Sequence, residues 1–445
     1  MRKATIDTTL RIRLKHKPGQ MLRVAEAVAA NAALLGDITT VRNGEDDTIR
    51  DVTVETQSDE HTASVLAAVR ALENIEVLST TDRVFDVHKG GKLHASRRVR
   101  VENVTDLRYV YTPGVARVSR ALQRDPELAW DLTGIGNSVG IFTNGTRVLG
   151  LGDIGVVASM PVMEGKAVLY DAFVGISATP ILLAEKDPKA FVETVVRVAP
   201  TFGGVHLEDI RVPDCFAIED ELVRRLERPV MHDDQHGTAT VALAALINAC
   251  KITGVDLARA RIGQIGLGAA GSAIALLAMA FGAADVIVHD PSEPARKRLV
   301  DRGARAADLE TLMKDADIVI AATGRPGLIP AKLVRPGQVI FALSNPEAEI
   351  EPSDALAAGA AFASDGRSIN NALAFPGLFR GALDAKSRAI TEGMRIAAAR
   401  AIAAHAEPGE VVPSPLAPEV HRAVRAAVAE EARRSGLANT ARLAP

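Results

Sequence analysis

Between residues 8 and 86 the apolar positions change period several times. TLRIRLKH alternates apolar and polar residues as a half-buried strand does, and QMLRVAEAVAANAALL then places Met21, Leu22, Ala25, Val28 and Ala29 at helical spacing. Lys17-Pro18-Gly19 punctuates the turn between them. DITTVRNG and IRDVTVETQ return to alternation, HTASVLAAVRAL is helical and IEVLSTTDRVF alternates again, which predicts a βαββαβ domain over residues 1–88.

The stretch HKGGKLHASRRVR (residues 88–100) is basic, glycine-containing and without period, so it reads as a linker. Farther on, IGLGAAGSAIALLAMAFGAA is about as long as a membrane span, roughly 20 residues. It is rich in Gly and Ala, opens on a glycine motif and runs into the strand-like VIVHD, which predicts a buried helix of an α/β domain instead. A second boundary near His236 and an Ala-rich helical tail from Ile390 divide the rest into two further domains, 89–235 and 236–445.

Composition narrows the function. A chain of 445 residues has room for two or three cores. A 47% hydrophobic fraction, 24% charged fraction and net charge of -3 give no basic excess to attract nucleic acid or anionic lipid, so small-molecule work is expected. Two cysteines, Cys215 and Cys250, are too few for a disulfide framework, and charge interrupts the apolar residues of the N-terminus, so a reducing cytoplasm is the expected location.

The motif RIGQIGLGAAGSAIALLAMAFGAADVIVHD predicts a strand, a glycine turn and a helix. Gly266 permits the tight turn, Gly268 lets backbone approach a pyrophosphate, Gly271 allows close packing, and the free N–H groups around Ala269 and Ala270 suit an anion. Asp290, at the end of the next strand, favours a ribose hydroxyl over a phosphate and so points to NAD. Arg296, Lys297 and Arg298 follow closely and fit either NADP binding or a solvated helix face. Later strands close at Thr323-Gly324 and at Ser344-Asn345-Pro346, where carboxyl ends of an open sheet line a ligand crevice.

A second constellation is acidic: Glu208 and Asp209 in VHLEDI, Asp233 and Asp234 in VMHDDQHGTA, each after a strand-like run. Paired carboxylates there suit a hard cation such as Mg2+ or Mn2+. N-capping of the helix that follows Asp233-Asp234 is the other reading.

The KPGQMLRV turn and the element order of residues 1–88 resemble an ACT domain, although Leu35 stands where such domains often have glycine. The resemblance implies a regulatory module for a small-molecule effector, or a dimerisation scaffold. YTPGVA, TNGTRVLGLGDIG, EGKAVLY, HLEDI, HDDQHGTA, LSNP and INNALAFPGLFRGALD occur in the order seen in malic enzymes, a likeness running from Tyr109 to Asp384. The segment FASDGRSINNALAFP is shorter than the corresponding loop of many bacterial members.

The malic enzyme resemblance implies a Rossmann-type doubly wound sheet beside a malic-enzyme N-terminal α/β domain, and metal-dependent oxidation and decarboxylation of malate with NAD. It further implies Tyr111 as general acid, Lys166 as general base, Glu208, Asp209 and Asp234 as metal ligands, and Asp233 orienting its neighbours. Arg147, Asn345 and Asn371 would hold substrate carboxylates, and the lysine would have its pKa lowered. A malolactic enzyme and a catalytically silent sensor are the rival readings; a homodimer or higher homo-oligomer is implied as well.

Overall fold

A computed structural model describes residues 6–438 in two compact units, Met1–His94 and Ala95–Pro445. The first unit therefore runs past the expected limit at residue 88, and its last helix, Arg83–His88, was expected as the end of a strand.

In the first unit β1 (Ile6–Lys15), β2 (Leu34–Asn43), β3 (Asp47–Thr56) and β4 (Ile75–Asp82) form an antiparallel sheet in the order β2-β3-β1-β4. Two helices, Gln20–Ala30 and Asp59–Arg70, complete the βαββαβ order. Alternation in β1 turns Leu10, Ile12 and Leu14 inward, where they meet Val24, Val28, Val65 and Val69 from the helices. Each such side chain contributes roughly 1.5–3 kcal/mol by leaving water. The first helix ends earlier than its apolar pattern predicts, and Leu34 and Leu35 begin β2 instead.

The second unit contains two parallel sheets. One has the order β6-β5-β7-β8, from β5 (Ser138–Thr143), β6 (Ser177–Leu182), β7 (Gly204–Leu207) and β8 (Val230–His232). The other, from β9 (Arg261–Ile265), β10 (Asp285–His289), β11 (Arg305–Ala306), β12 (Ile318–Ala321), β13 (Val339–Ala342) and β14 (Phe362–Asp365), has the order β11-β10-β9-β12-β13-β14. In this order the chain reverses direction beside β9, the switch point at which doubly wound sheets bind ligands.

Helix Asp233–Thr253 joins the sheets. Ala239, Ala242, Ala244, Ala245 and Ala249 are buried in one core with Val139 and Ile141 of the first sheet and Ile262 and Val286 of the second. Small side chains let this helix be surrounded on most sides, so that the two sheets share one core. Among the described residues no helix is long and apolar enough to cross a membrane; the segment opening at Ile265 forms β9's end and helix Ala269–Phe281.

Candidate active site

The acidic motifs converge because they leave adjacent parallel strands at the same edge. Glu208 and Asp209 follow β7, and Asp233 and Asp234 open the helix directly after β8, so both expected placements of the second pair, strand end and helix start, are met at once. Oxygens of Glu208, Asp209 and Asp234 lie within 4.8 Å of one another. Asp209 adopts a φ of 53°, a left-handed conformation that aspartate tolerates and that aims its carboxylate inward. Asp234 Oδ2 accepts the Asp209 backbone N–H at 3.0 Å.

Crowding and burial raise the proton affinity of these acids. Burial, with Asp234 adding to it, pushes Glu208 up to about 7 although Lys166 opposes the shift; burial and then Glu208 and Asp234 push Asp209 up to about 8. Buried Asp209 Oδ2 has no hydrogen-bond partner among the described residues. Three converging carboxylates, one with an orphaned oxygen, fit a hard divalent cation, whose charge would relieve their repulsion.

Lys166 lies on helix Gly155–Val174 and donates from Nζ to Asp233 Oδ2 at 2.5 Å, with Glu208 Oε1 at 3.1 Å. Asn371 Nδ2 donates to the same Asp233 oxygen at 2.6 Å. Gly237 makes room for this, since a Cβ there would stand 1.8 Å from Asp233 Oδ1. The lowered lysine pKa expected of a general base buried beside a cation is not produced by the protein's own groups alone. Burial works against the ammonium, but Asp233 and Glu208 outweigh it and raise the lysine above its usual range.

Three residues that sequence reasoning passed over hold these groups. His206, near the end of β7 and two positions before Glu208, donates from Nε2 to Glu208 Oε2 at 2.5 Å. Burial depresses His206 to about 4, which leaves its ring neutral and able to accept the Tyr170 hydroxyl at 2.9 Å. Glu219 accepts the His232 N–H at 2.8 Å, Gln235 Nε2 at 2.8 Å and His236 Nε2 at 3.0 Å, which fixes the helix start. The i, i+2 pairing in HLEDI was a signal for His206; nothing in sequence marked Tyr170 or Glu219.

A cavity of about 590 Å³ opens beside this cluster, lined by Arg147, Thr238, Gly266, Gly268, Ala269, Ala270, Asp290, Thr323, Gly324, Ser344 and Asn345. Arg147 connects the two, since its backbone N–H donates to the Asp209 carbonyl at 3.1 Å. Gly266 holds a φ of +84°, a Cβ on Gly271 would approach the Gly266 carbonyl to 2.0 Å, and a Cβ on Gly268 would meet nothing within 4 Å. The loop is thus closed behind and open toward the cavity, above the N-terminus of helix Ala269–Phe281.

Asp290 accepts the Leu267 N–H at 2.7 Å and the Ser292 N–H at 2.8 Å. The basic cluster after it divides. Arg296 donates to the Asp290 carbonyl, and Lys297 pairs with Asp301 at 3.0 Å. Arg298 turns inward over Phe216, at 4.0 Å from the ring centroid, and donates to the Leu267 carbonyl and Ser272 Oγ. Tyr111 is the expected site residue that does not join: it follows helix Val104–Val110, is 67% exposed and does not line the cavity.

Two parallel sheets around a shared helix, with a glycine loop and cavity beside a lysine–carboxylate cluster, define a nucleotide-dependent oxidoreductase class. Residues 91–223 match the malic enzyme N-terminal domain and residues 364–434 the malic enzyme NAD binding domain, while residues 228–325 match the NAD binding domain of D-isomer specific 2-hydroxyacid dehydrogenases. The chain is 52% identical to NAD-dependent malic enzyme 1 of Bacillus subtilis over 94% of this chain and 96% of that one. It is 41% identical to the bifunctional malic/malolactic enzyme of the same organism, over 81% of this chain and 95% of the other. A crystal structure of malic enzyme from Pyrococcus horikoshii superposes with a TM-score of 0.76 at 38% identity, covering 80% of this chain and 91% of that one. The chain belongs to the malic enzyme family.

Proposed function

We propose that this chain oxidises and decarboxylates malate to pyruvate and carbon dioxide while reducing NAD. The observation that carries this reading is Lys166, held by Asp233 and Glu208 beside three converging carboxylates and next to the glycine-loop cavity. Close similarity to an NAD-dependent malic enzyme over nearly the whole chain supports it.

In this reading Glu208, Asp209 and Asp234 hold Mg2+ or Mn2+. When bound, the cation supplies Lewis-acid polarisation of the substrate's oxygens and cancels negative charge that otherwise keeps the proton on Lys166. Lys166 then takes the malate hydroxyl proton as the C2 hydrogen leaves with its electron pair for the nicotinamide. Asp233 keeps the lysine in place and orients Asn371. Arg147, Asn345 and Asn371 hold substrate carboxylates. Loss of carbon dioxide leaves the enolate of pyruvate, and Tyr111 protonates its C3, the role that the YTPGVA motif implies. Gly266, Gly268, Ala269, Ala270 and Gly271 receive the pyrophosphate, Asp290 the adenosine ribose, and Thr323, Gly324 and Asn345 the nicotinamide half.

We further propose three functional domains: residues 1–88 as an ACT-like module taking a small-molecule effector, 89–235 as the malic enzyme N-terminal domain, and 236–445 as the NAD-binding domain with its helical tail. The βαββαβ order of the first unit supports the module. Exposed Val104, Leu107, Tyr109 and Val110 support a homodimer or larger symmetric assembly. Two free, buried cysteines accord with a cytoplasmic location.

The test is to supply purified protein with malate, Mn2+ and either NAD or NADP, and to follow reduced nicotinamide, pyruvate and lactate. Pyruvate formed in step with NADH is the expected result. Lactate without net NADH would establish the malolactic reading, and neither product would overturn both.

A further inference from the structure

The order β10-β9-β12-β13 sets a direction along the cavity. Asp290 follows β10, on one side of the glycine loop after β9, while Thr323, Gly324, Ser344 and Asn345 follow β12 and β13 on the other. A dinucleotide with its pyrophosphate on the loop therefore places adenosine toward Asp290 and its nicotinamide half toward residues 323–324 and 344–345.

Behind that second wall lies Glu349, which is fully buried and given no role by the reading above. Its Oε1 accepts from the Thr323 backbone N–H at 2.7 Å, Thr323 Oγ1 at 2.8 Å and Ser344 Oγ at 2.5 Å, and its Oε2 accepts from the Ser344 N–H at 3.1 Å. Each hydroxyl also accepts a backbone N–H, Ser344 Oγ from Gly324 at 2.7 Å and Thr323 Oγ1 from Arg325 at 3.1 Å, while its single proton goes to Glu349. Four donors converge on one carboxyl group, an arrangement that an acceptor-only carboxylate satisfies in full. Bonds from Gly327 to the Ala348 carbonyl and from Ile329 to the Glu349 carbonyl hold residue 349 itself in place. Among the described residues no cationic side chain lies within 4 Å of it.

A buried charge without a counter-ion is costly, and the two backbone N–H groups and two hydroxyls that it satisfies offset part of that cost. The ligand that the wall faces gives the charge a further use. An oxidised nicotinamide ring carries a positive charge and a reduced ring none.

We propose that Glu349 is a positioning residue that clamps the two nicotinamide-side loops and, through its negative charge, makes the cavity favour the oxidised cofactor over the reduced one. This rests on the reading of the cavity as the NAD site. Glu349 acts through the Thr323 and Ser344 loops and through the field behind them, without touching the ring.

Equilibrium binding of NAD+ and of NADH to the full-length protein tests it, with Glu349→Gln and Thr323→Val as variants. Gln keeps the shape and one acceptor oxygen but removes the charge and turns a donor toward the Ser344 N–H. Thr323→Val keeps the charge and removes one loop bond. Glu349→Gln is expected to weaken NAD+ by about fivefold or more beyond any loss of NADH, because charge–charge attraction in a poorly hydrated wall acts on the oxidised ring alone. Thr323→Val is expected to weaken both forms alike.

Equal losses of NAD+ and NADH in Glu349→Gln would reduce the residue to a structural clamp and overturn the proposal. Should that variant not fold, Thr323→Val and Ser344→Ala still decide it, since a shifted NAD+/NADH ratio in either would assign the preference to loop geometry. Failure of the unmodified protein to bind either form would overturn the reading of the cavity, and this proposal with it.

Discussion

The two halves of the site are built from opposite materials. On the proposed substrate side charges face one another: Lys166, Glu208, Asp209, Asp233 and Asp234 are held within hydrogen-bond or near-contact distance by His206, Asn371 and backbone N–H groups. On the proposed cofactor side the exposed loop is backbone, open at Gly268 and sealed behind by the contact of Gly271 with the Gly266 carbonyl. A half made of charges must be sensitive to any change of charge at constant shape. A half whose loop is made of backbone must be sensitive to added volume there.

Changing charge at constant shape gives the largest effect. Asp209→Asn and Asp234→Asn are each expected to lower metal-dependent turnover by roughly three orders of magnitude or more, since a hard cation binds through anionic oxygen. NAD binding should survive. Near-normal rates at low Mn2+ would break the comparison at its substrate end.

The same substitutions carry a pH signature. Glu208 and Asp209 hold their protons to about 7 and about 8, above their ordinary carboxylate range. Between their ordinary range and these values the folded state binds protons that the unfolded chain has released, while the depressed His206 works the other way below its ordinary pKa, so the fall in stability is expected as pH rises through roughly 6.5 to 8. Without divalent ion the melting temperature should fall across that window, and Asp209→Asn should flatten the decline. Added Mn2+ should raise it more at pH 8 than at pH 6, because the ion competes with protons for these oxygens. An unmodified protein whose stability rises over this range would contradict the crowded, ion-binding cluster.

Adding volume to the other half comes next. Gly271→Ala sets a methyl against the backbone of the glycine turn and is expected to cost about 1–3 kcal/mol of stability as well as NAD affinity. Gly268→Ala meets no protein atom and should leave the melting temperature unchanged while raising the KM for NAD about tenfold, through the space that it takes from the pyrophosphate. Equal melting losses in the two variants would show that the loop is not open on its ligand side.

These contrasts explain which parts of the molecule could be read from the chain. The placement of the glycine loop and of the acids after β7 and β8 was legible because local chemistry and local structure coincide there: a strand ends, and the glycine or acid follows it. His206 was half legible, as the i−2 neighbour of Glu208 on a strand. Tyr170, Glu219 and Glu349 act across distance in sequence, and no local pattern separates a buried glutamate that caps loops from an exposed one. The inward turn of Arg298 was hidden for the same reason, since its partner Phe216 lies on another helix.

Asp290 yields a smaller and more selective effect. Its carboxylate already accepts the Leu267 N–H, so Asp290→Ala loosens the glycine turn as it removes the repulsion toward a 2′-phosphate. Saturation curves should show NAD weakened by about tenfold and NADP improved, narrowing the preference without inverting it. An unmodified enzyme that prefers NADP would mean that Arg296, the basic residue attached to the Asp290 carbonyl, dominates there.

The smallest effect on chemistry should come from removing residues 1–94. That unit has its own core around Leu10, Ile12, Val52 and Val65, and every residue of the charged cluster and the cavity lies in the other unit. The truncated enzyme should therefore keep its kcat within about twofold, while any effector-dependent shift of malate saturation disappears, as coupling between two separate sites requires. Comparing full-length and truncated protein across amino acids and central metabolites decides the matter, with Gly19→Ala as a finer probe. Gly19 holds a φ of +80° at the turn into the first helix with open space around it, so alanine there strains the turn without a clash and should shift an effector response before it alters the fold. Identical responses from both lengths would leave the unit as a scaffold, and insolubility of the truncated chain would show that the catalytic unit depends on it for more than regulation.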